Sequence, residues 1–275
     1  MKIFKRIYLI LLIVITLIAI GVLLYPSVSN YINNKYAVNT ISEYKNSIKN
    51  TSEDRLNELV EKSRIYNIDI AKGITPKDKF ESGYMLGYIN IPKINVELPI
   101  YEGTSKEILK KGVGVIEGTS IPIGGENTHS VLSAHTGFTT QKLFTDIDQL
   151  KKGDLFYINI FDMNLTYKVD DISIVKPNDT SKVKVYPNKD YVTLLTCYPY
   201  GINTERLLVR GERVFEKDND FSVPDNLVNN TGCININFIF IGIMLILLFI
   251  LVIILKIKIR IVKLKTKDIV FKNNL

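Results

Sequence analysis

A succession of short β-type runs fills the middle of this 275-residue chain and limits the fold more than any other feature. Each run is rich in Val, Ile, Leu, Tyr or Phe, and most connections contain glycine or proline. We count eight: residues 85–91, 95–100, 112–117, 130–134, 155–160, 165–175, 191–196 and 206–214. Many short strands at close spacing are typical of a barrel or a sandwich and disfavour a parallel α/β sheet. We therefore predict a mainly β domain with only short helical segments, such as a turn within residues 139–151.

Two uncharged apolar runs flank the β domain. Residues 8–25 and residues 238–255 each contain 18 residues, which is long enough for a membrane-spanning helix. Lys and Arg precede the first run and follow the second, and such basic flanks stay on the cytoplasmic side. We predict a two-pass protein of the cell membrane, embedded in lipid, with its β domain outside the cell. A cleaved signal peptide is the alternative for the first run, but the bulky residues that follow it offer no small-residue cleavage site.

The segment between the first apolar run and the β domain is polar and helix-like. Apolar residues recur at helical spacing between residues 41 and 60, and Ser52 followed by Glu53 and Asp54 is typical of a helix start. These helices form either a stalk or an arm that packs on the domain, and a loop over residues 72–83 follows them. The predicted parts are a cytoplasmic tip with its anchor, a helical arm, the β domain, a linker, and a second span with a basic tail: residues 1–26, 27–83, 84–215, 216–233 and 234–275.

Charge and cysteine content exclude several classes of function. The net charge of +7 is concentrated beside the two apolar runs, so the outer domain is close to neutral and nucleic acid is not an expected partner. The two cysteines, Cys197 and Cys233, do not suggest a disulfide scaffold. Together with the two histidines they show no metal-ligand spacing, so we expect no metal site. A lone thiol in the domain is either buried filler or a reactive nucleophile.

Three reactive residue types stand at the ends of predicted strands. His135 follows the run that ends at residue 134, Cys197 follows the run 191–196, and Arg206 begins the last run. A cysteine and a histidine are the minimal set for nucleophilic thiol chemistry, and an arginine fork can hold an oxyanion. Each residue also has an ordinary structural interpretation, as core filler, loop residue or surface ion pair. His129 shows no such context and is interpreted as structural.

The sequence around these residues resembles the sortases, cysteine transpeptidases of Gram-positive bacterial surfaces. Residues 193–197 (TLLTC) resemble the TLxTC signature, and residues 133–137 (SAHTG) look like the histidine segment of the family. The order histidine, cysteine, arginine is also that of the family. Residues 196–211 (TCYPYGINTERLLVRG) are similar to the pattern of class C, the pilus-assembling sortases, as is a second span with a basic tail. The resemblance covers residues 84–214.

The resemblance implies an eight-stranded sortase barrel and a two-step acyl transfer. Cys197 would attack the Thr–Gly carbonyl of an LPxTG-like sorting signal, Arg206 would stabilise the oxyanion, and His135 would protonate the leaving amine. Thr196 and Ser133 are further candidates for substrate contact. The thioester would be resolved by a lysine amine of a pilin or, as the alternative, by a peptidoglycan amine that anchors a surface protein. The chemistry requires no metal or cofactor. A non-catalytic binding module for surface proteins is a third hypothesis.

One segment departs from the class C pattern. Class C sortases commonly carry a lid with an Asp-Pro-aromatic anchor over the cysteine, whereas residues 75–80 of this chain are TPKDKF. Pro76 and Phe80 are the candidate lid residues. Either Phe80 plugs the site or the chain has no working lid.

Overall fold

The computed structural model describes residues 2–137, residues 141–215 and six single positions between 242 and 256. The predicted linker, residues 216–233, lies outside the described residues, as does most of the predicted second span, residues 238–255. The chain forms two compact units, one of Met1–Val28 with Cys233–Leu275 and the other of Ser29–Gly232.

In the described part of the chain, eight strands close into a barrel, with the spatial order β1-β2-β3-β4-β7-β8-β6-β5. The strands are β1 (Met85–Ile91), β2 (Val96–Glu102), β3 (Val113–Val115), β4 (Thr128–Ser133), β5 (Leu155–Ile160), β6 (Met163–Val175), β7 (Asp190–Tyr198) and β8 (Glu205–Val214). The predicted barrel is therefore confirmed, and each predicted strand boundary lies within two residues of the observed one. Short helical segments interrupt the connections, namely α3 (Lys106–Leu109) and single 3-10 turns at Pro92–Ile94, Ile147–Gln149 and Ser181–Val183.

The strand register decides which side chains face the barrel interior. Along β7, Val192 and Leu194 belong to the apolar core, and the residues between them point to the outer face of the barrel. β4 runs parallel to β7 and places Leu132 in the same core. Each fully buried aliphatic side chain of this kind contributes about 1.5–3 kcal/mol, so the alternation fixes the register firmly.

The N-terminal half of the structure contains two helices, α1 (Lys2–Lys49) and α2 (Glu53–Ala71). Among the described residues, α1 supplies the one stretch that is long and apolar enough to cross a membrane. The helix continues through Pro26, so the predicted boundary at residue 26 does not coincide with a helix end. A proline inside a helix removes one backbone hydrogen bond and crowds the carbonyl four residues earlier, yet the helix continues on both sides of Pro26. The chain then turns before α2, where the Ser52 hydroxyl caps the helix by accepting a hydrogen bond from the Arg55 amide.

The last part of α1 and the whole of α2 pack on the barrel. The Tyr44 hydroxyl donates to the Leu86 carbonyl (2.7 Å) and accepts from the Phe161 amide (3.0 Å). The Asn67 amide group bonds both the carbonyl (2.9 Å) and the backbone amide (2.7 Å) of Ile121. These contacts favour a packed arm over a stalk.

Candidate active site

Cys197 and Arg206 are direct cross-strand partners where β7 ends and β8 begins. Facing residues of an antiparallel pair have Cβ atoms roughly 4.5–5.5 Å apart and point to the same side of the sheet. Because the core residues of β7 alternate with Cys197, both side chains lie on the outer face of the barrel. The connecting turn contains a cis Tyr198–Pro199 peptide bond and left-handed residues at Gly201 and Asn203.

His135 lies at the same end of the barrel, two residues beyond the end of the neighbouring strand β4. The Ala134 amide donates to the Leu195 carbonyl (3.2 Å), and the Thr196 hydroxyl donates to the Ala134 carbonyl (2.8 Å). These two bonds hold the segment that carries His135 beside the end of β7. The structure therefore brings the three predicted residues to one end of the barrel, which we call the site rim (Ser133 to His135, Cys197 and Arg206).

A second contact joins the turns that follow His135 and Cys197. Gly137 has a φ of +66°, and a Cβ atom there would lie 3.1 Å from Cε2 of Tyr200, so the tyrosine ring packs directly on this glycine. The sequence patterns do not single out Tyr200. The available signal is a glycine in each turn, but nothing local indicates that the two turns meet.

His135 and Cys197 are both partly buried. Burial lowers the pKa of His135, because the low-polarity surroundings disfavour its charged form. A free histidine titrates near pH 6.5, so His135 is mostly neutral at neutral pH in the resting protein. Cys197 is a free thiol, and Cys233 lies outside the described residues.

Arg206 and Arg210 lie on the same strand and face but have different partners. Arg206 donates to the backbone carbonyls of Asn203 (3.2 Å) and Glu205 (2.8 Å). Arg210 makes a bidentate ion pair with Asp170, with distances down to 2.6 Å. In the described part of the chain no carboxylate pairs with Arg206, so its charge is available for an anionic group.

The two predicted substrate contacts differ in their surroundings. Ser133 is half-buried on the outer face, next to Leu195 on β7. Thr196 is buried, and its hydroxyl is already bonded to the Ala134 carbonyl. Ser133 therefore lies on the same outer face as Cys197, whereas the Thr196 hydroxyl joins β7 to the segment that follows β4.

Of the two candidate lid residues, Phe80 lies away from the site rim. Phe80 is buried in the core cluster, where it stacks on Tyr84 and Phe161 with ring centroids 5.2 and 6.0 Å apart. Phe161 precedes β6, whereas Val175 at the other end of β6 pairs with Arg206. Pro76 is also buried. Phe80 thus lies about the length of β6 from the cysteine and does not plug the site in this structure.

His129 is buried within β4 and has hydrogen-bond partners at both ring nitrogens, in agreement with its structural interpretation. Among the described residues, no group of three His, Cys, Asp or Glu side chains is placed to hold a metal ion. The site is therefore built from a thiol, an imidazole and a guanidinium.

Comparison with known proteins agrees with this geometry. Residues 89–214 match the family described as the sortase domain. Sortase D of Bacillus subtilis (strain 168) is 37% identical over 139 residues, which are 50% of this chain and 67% of that protein.

Solved structures match a larger share of the chain. The X-ray structure of Clostridium perfringens sortase C with the C-terminal cell wall sorting motif is 56% identical, with a TM-score of 0.63, and the match covers 66% of this chain and 100% of that chain. Sortase C of Streptococcus pneumoniae is 39% identical, with a TM-score of 0.60 over 66% of this chain and 100% of that one.

Proposed function

This chain belongs to the sortase family of cysteine transpeptidases, and from that premise we propose that it polymerises pilins. Its substrate is an LPxTG-like sorting signal, and its acceptor is the lysine amine of another pilin. The observation that carries the proposal is the cross-strand pairing of Cys197 with Arg206, beside the segment that holds His135.

The first half-reaction forms a thioester. His135, which is neutral at rest, accepts the proton of the Cys197 thiol. The resulting thiolate attacks the carbonyl carbon of the threonine in the sorting signal, and the carbonyl oxygen becomes an oxyanion. Arg206 donates hydrogen bonds to that oxyanion, because its guanidinium has no carboxylate partner among the described residues. The C–N bond to glycine then breaks, and His135 delivers a proton to the departing amine. The products are an acyl-enzyme at Cys197 and a free glycine amine.

The second half-reaction reverses these roles. A neutral lysine amine attacks the thioester carbonyl, and the oxyanion forms again beside Arg206. The C–S bond breaks, the thiolate of Cys197 departs, and the new amide nitrogen loses a proton to His135. The lowered pKa of His135 suits this second step, because a neutral imidazole accepts the proton.

The assignment to class C rests on the solved structures to which this chain is similar. The Clostridium perfringens sortase C structure includes the C-terminal cell wall sorting motif, and the Streptococcus pneumoniae sortase C structure bears on pilin substrate specificity. Their identities of 56% and 39% support the same substrate class for this chain. The apolar part of α1 would anchor the enzyme in the cell membrane with the barrel outside the cell, where sorting signals and pilins are found.

The test is to incubate the full-length protein in detergent with LPxTG-like peptides and to measure its mass. We expect an adduct at Cys197 equal to the peptide up to its threonine, and no adduct in Cys197→Ala. A lysine peptide from a pilin should then release the adduct as a branched product. Release only by a peptidoglycan-type amine would replace pilus assembly with surface-protein anchoring, and the absence of an adduct with any such peptide would contradict the proposal.

A further inference from the structure

The connection between β6 and β7, residues 176–189, crosses the outer face of the barrel without a core of its own. It leaves β6 beside Arg206, where Val175 is the strand partner of that arginine, and it ends at the start of β7, at the other end of the barrel. None of its residues is buried. Such a segment keeps one conformation only if hydrogen bonds or covered side chains fasten it.

Two apolar side chains on the outer face of the sheet are shielded from solvent. Val131 and Leu208 are 1% and 3% exposed, yet neither belongs to the core cluster inside the barrel. Val131 pairs with Thr193, and Leu208 pairs with Leu195, so both face outward. The outer face of β4, β7 and β8 is therefore covered at these two positions, whereas Cys197 beyond them is partly exposed.

His129 joins the connection to this face. Its ring is fully buried, with Nδ1 at 2.6 Å from the Lys184 carbonyl oxygen and Nε2 at 2.7 Å from Oγ1 of Thr193. A carbonyl oxygen can only accept a hydrogen bond, so Nδ1 carries the proton and Nε2 accepts from the threonine hydroxyl. The neutral ring thus joins Lys184, in the middle of the connection, to Thr193 of β7.

Charged and aromatic groups surround this link and keep the imidazole neutral. Tyr186 of the connection and Tyr191 of β7 pack on His129, with ring centroids 6.3 and 5.7 Å away. Arg210 from β8 lies 4.2 Å above the Tyr191 ring and pairs with Asp170 of β6. Burial and the charge of Arg210 lower the pKa of His129, with Asp170 acting in the opposite direction.

We propose that His129 is a positioning residue, which fixes residues 176–189 as the far wall of the groove that holds the upstream half of the sorting signal. The distances fit: Thr193 precedes Cys197 by four residues on β7, or roughly 13 Å. An extended peptide whose threonine carbonyl lies at Cys197 and which runs along β7 places its leucine roughly 10 Å away, just before the His129 link. The inference rests on the proposed function for its substrate.

The experiment compares three variants of the full-length protein. His129→Phe keeps an aromatic ring at this position, slightly larger than imidazole, and loses both hydrogen bonds. His129→Asn retains a donor near the position of Nδ1, and Thr180→Ala changes an exposed side chain of the same connection. We expect His129→Phe to raise KM for the sorting peptide about tenfold, with kcat changed less than about twofold, because a wall is lost but the reacting groups stay in place. His129→Asn should recover most of the loss, and Thr180→Ala should match the parent protein.

Hydrogen exchange of the backbone amides provides the readout that does not depend on turnover. Residues 180–186 should exchange faster in His129→Phe than in the parent and should be restored in His129→Asn. Unchanged exchange in His129→Phe overturns the link itself. Faster exchange with an unchanged KM, or an equal loss of kcat and kcat/KM, overturns the positioning role. If the parent forms no adduct with any sorting peptide, the proposed function fails, whereas the exchange measurement still tests the link.

Discussion

Polar side chains are hydrogen-bonded to the barrel backbone at one end of the barrel and remain accessible at the other. At the end covered by the helices, which we call the arm rim (Leu86, Ile121 and Phe161), the side chains of Tyr44 and Asn67 bond backbone groups of the barrel. At the site rim, the cysteine and the histidine stay partly exposed, and within the described residues Arg206 donates to the carbonyls of its own turn. A closed end supplies rigidity, and an open end supplies groups that can still bind a substrate. Each variant below should therefore affect either activity or stability, but not both.

The largest effect is expected at His135. Replacing His135 with alanine removes the group that gives and takes the proton, so kcat/KM for thioester formation should fall about a thousandfold. Stability should change by less than about 0.5 kcal/mol, because a partly exposed residue beyond the end of β4 contributes little to the core. Peptide turnover and thermal unfolding of the same preparation measure both quantities. A large loss of stability with turnover retained would instead support a packing role for His135.

The next effect is expected at Arg206. Lysine keeps the charge but loses the planar fork, so Arg206→Lys should lower kcat/KM about a hundredfold. Arg213→Lys is the matched control, because Arg213 lies on the same strand near the opposite end and its guanidinium stacks on Tyr167 and Phe215. The control should retain full turnover. Equal losses in the two variants would show that β8 tolerates no lysine and would remove the argument for oxyanion binding.

At the arm rim, Asn67→Ala should cost stability and leave chemistry intact. The substitution removes two hydrogen bonds and leaves the buried amide and carbonyl of Ile121 without their partner, at a cost of about 2 kcal/mol. Chemical denaturation measures the change, with Asn57→Ala, an exposed position on the same helix, as the control. Retained stability would mean that α2 is a stalk and not a packed arm. A loss of turnover below the unfolding transition would break the separation between the two rims.

The smallest effect concerns Glu102, which is buried at the end of β2 with Oε2 lacking a partner among the described residues. Burial, with a further contribution from the charge of Glu117, raises the pKa of Glu102 to about 7. The folded protein therefore binds this proton more tightly than the unfolded chain. The resulting stability is fully present below the ordinary pKa of a glutamate and is lost as the pH rises through about 7.

We compare the unfolding free energy of Glu102→Gln with that of the parent protein at each pH. This difference should favour the variant by about 1 kcal/mol more at pH 8 than at pH 5, once the remaining solvent contact of the carboxyl is allowed for. Thermal unfolding at the two pH values measures the difference. Glu81→Gln, at an exposed position, should show no such dependence on pH. If the parent protein and Glu102→Gln lose the same stability between pH 5 and pH 8, Glu102 does not carry the effect.

Sequence patterns predicted the eight strands because strand positions depend on local order, whereas their closure into a barrel was what the resemblance to the sortases implied. Alternation of apolar residues locates each strand, and the strand ends then place His135, Cys197 and Arg206 near turns. That they share one rim follows from the parallel pairing of β4 with β7, which the pattern alone does not specify. The role of each residue in the reaction stays a prediction.

Long-range polar contacts cannot be predicted from local sequence patterns. Asn67 bonds Ile121, 54 residues away, and Tyr44 bonds the amide of Phe161, 117 residues away, and neither asparagine nor tyrosine on a helix indicates such a partner. The position of Phe80 before the first strand makes it a lid candidate. In the structure its ring instead stacks on Tyr84 and on Phe161, and the local pattern does not indicate the contact with Phe161, which is distant in the chain.

The parallel pairing of β4 with β7 also bears on how the protein folds. Ala134 and Thr196, which join the two halves of the site, are 62 residues apart, and two further strands lie between them in the chain. Contacts between such distant residues form late, because the loop entropy must be overcome before they contribute. We therefore expect the histidine and the thiol to meet only near the end of folding, so that a partly folded chain carries a cysteine that a sorting signal cannot acylate. Labelling of Cys197 by a sorting peptide during refolding would time that final step.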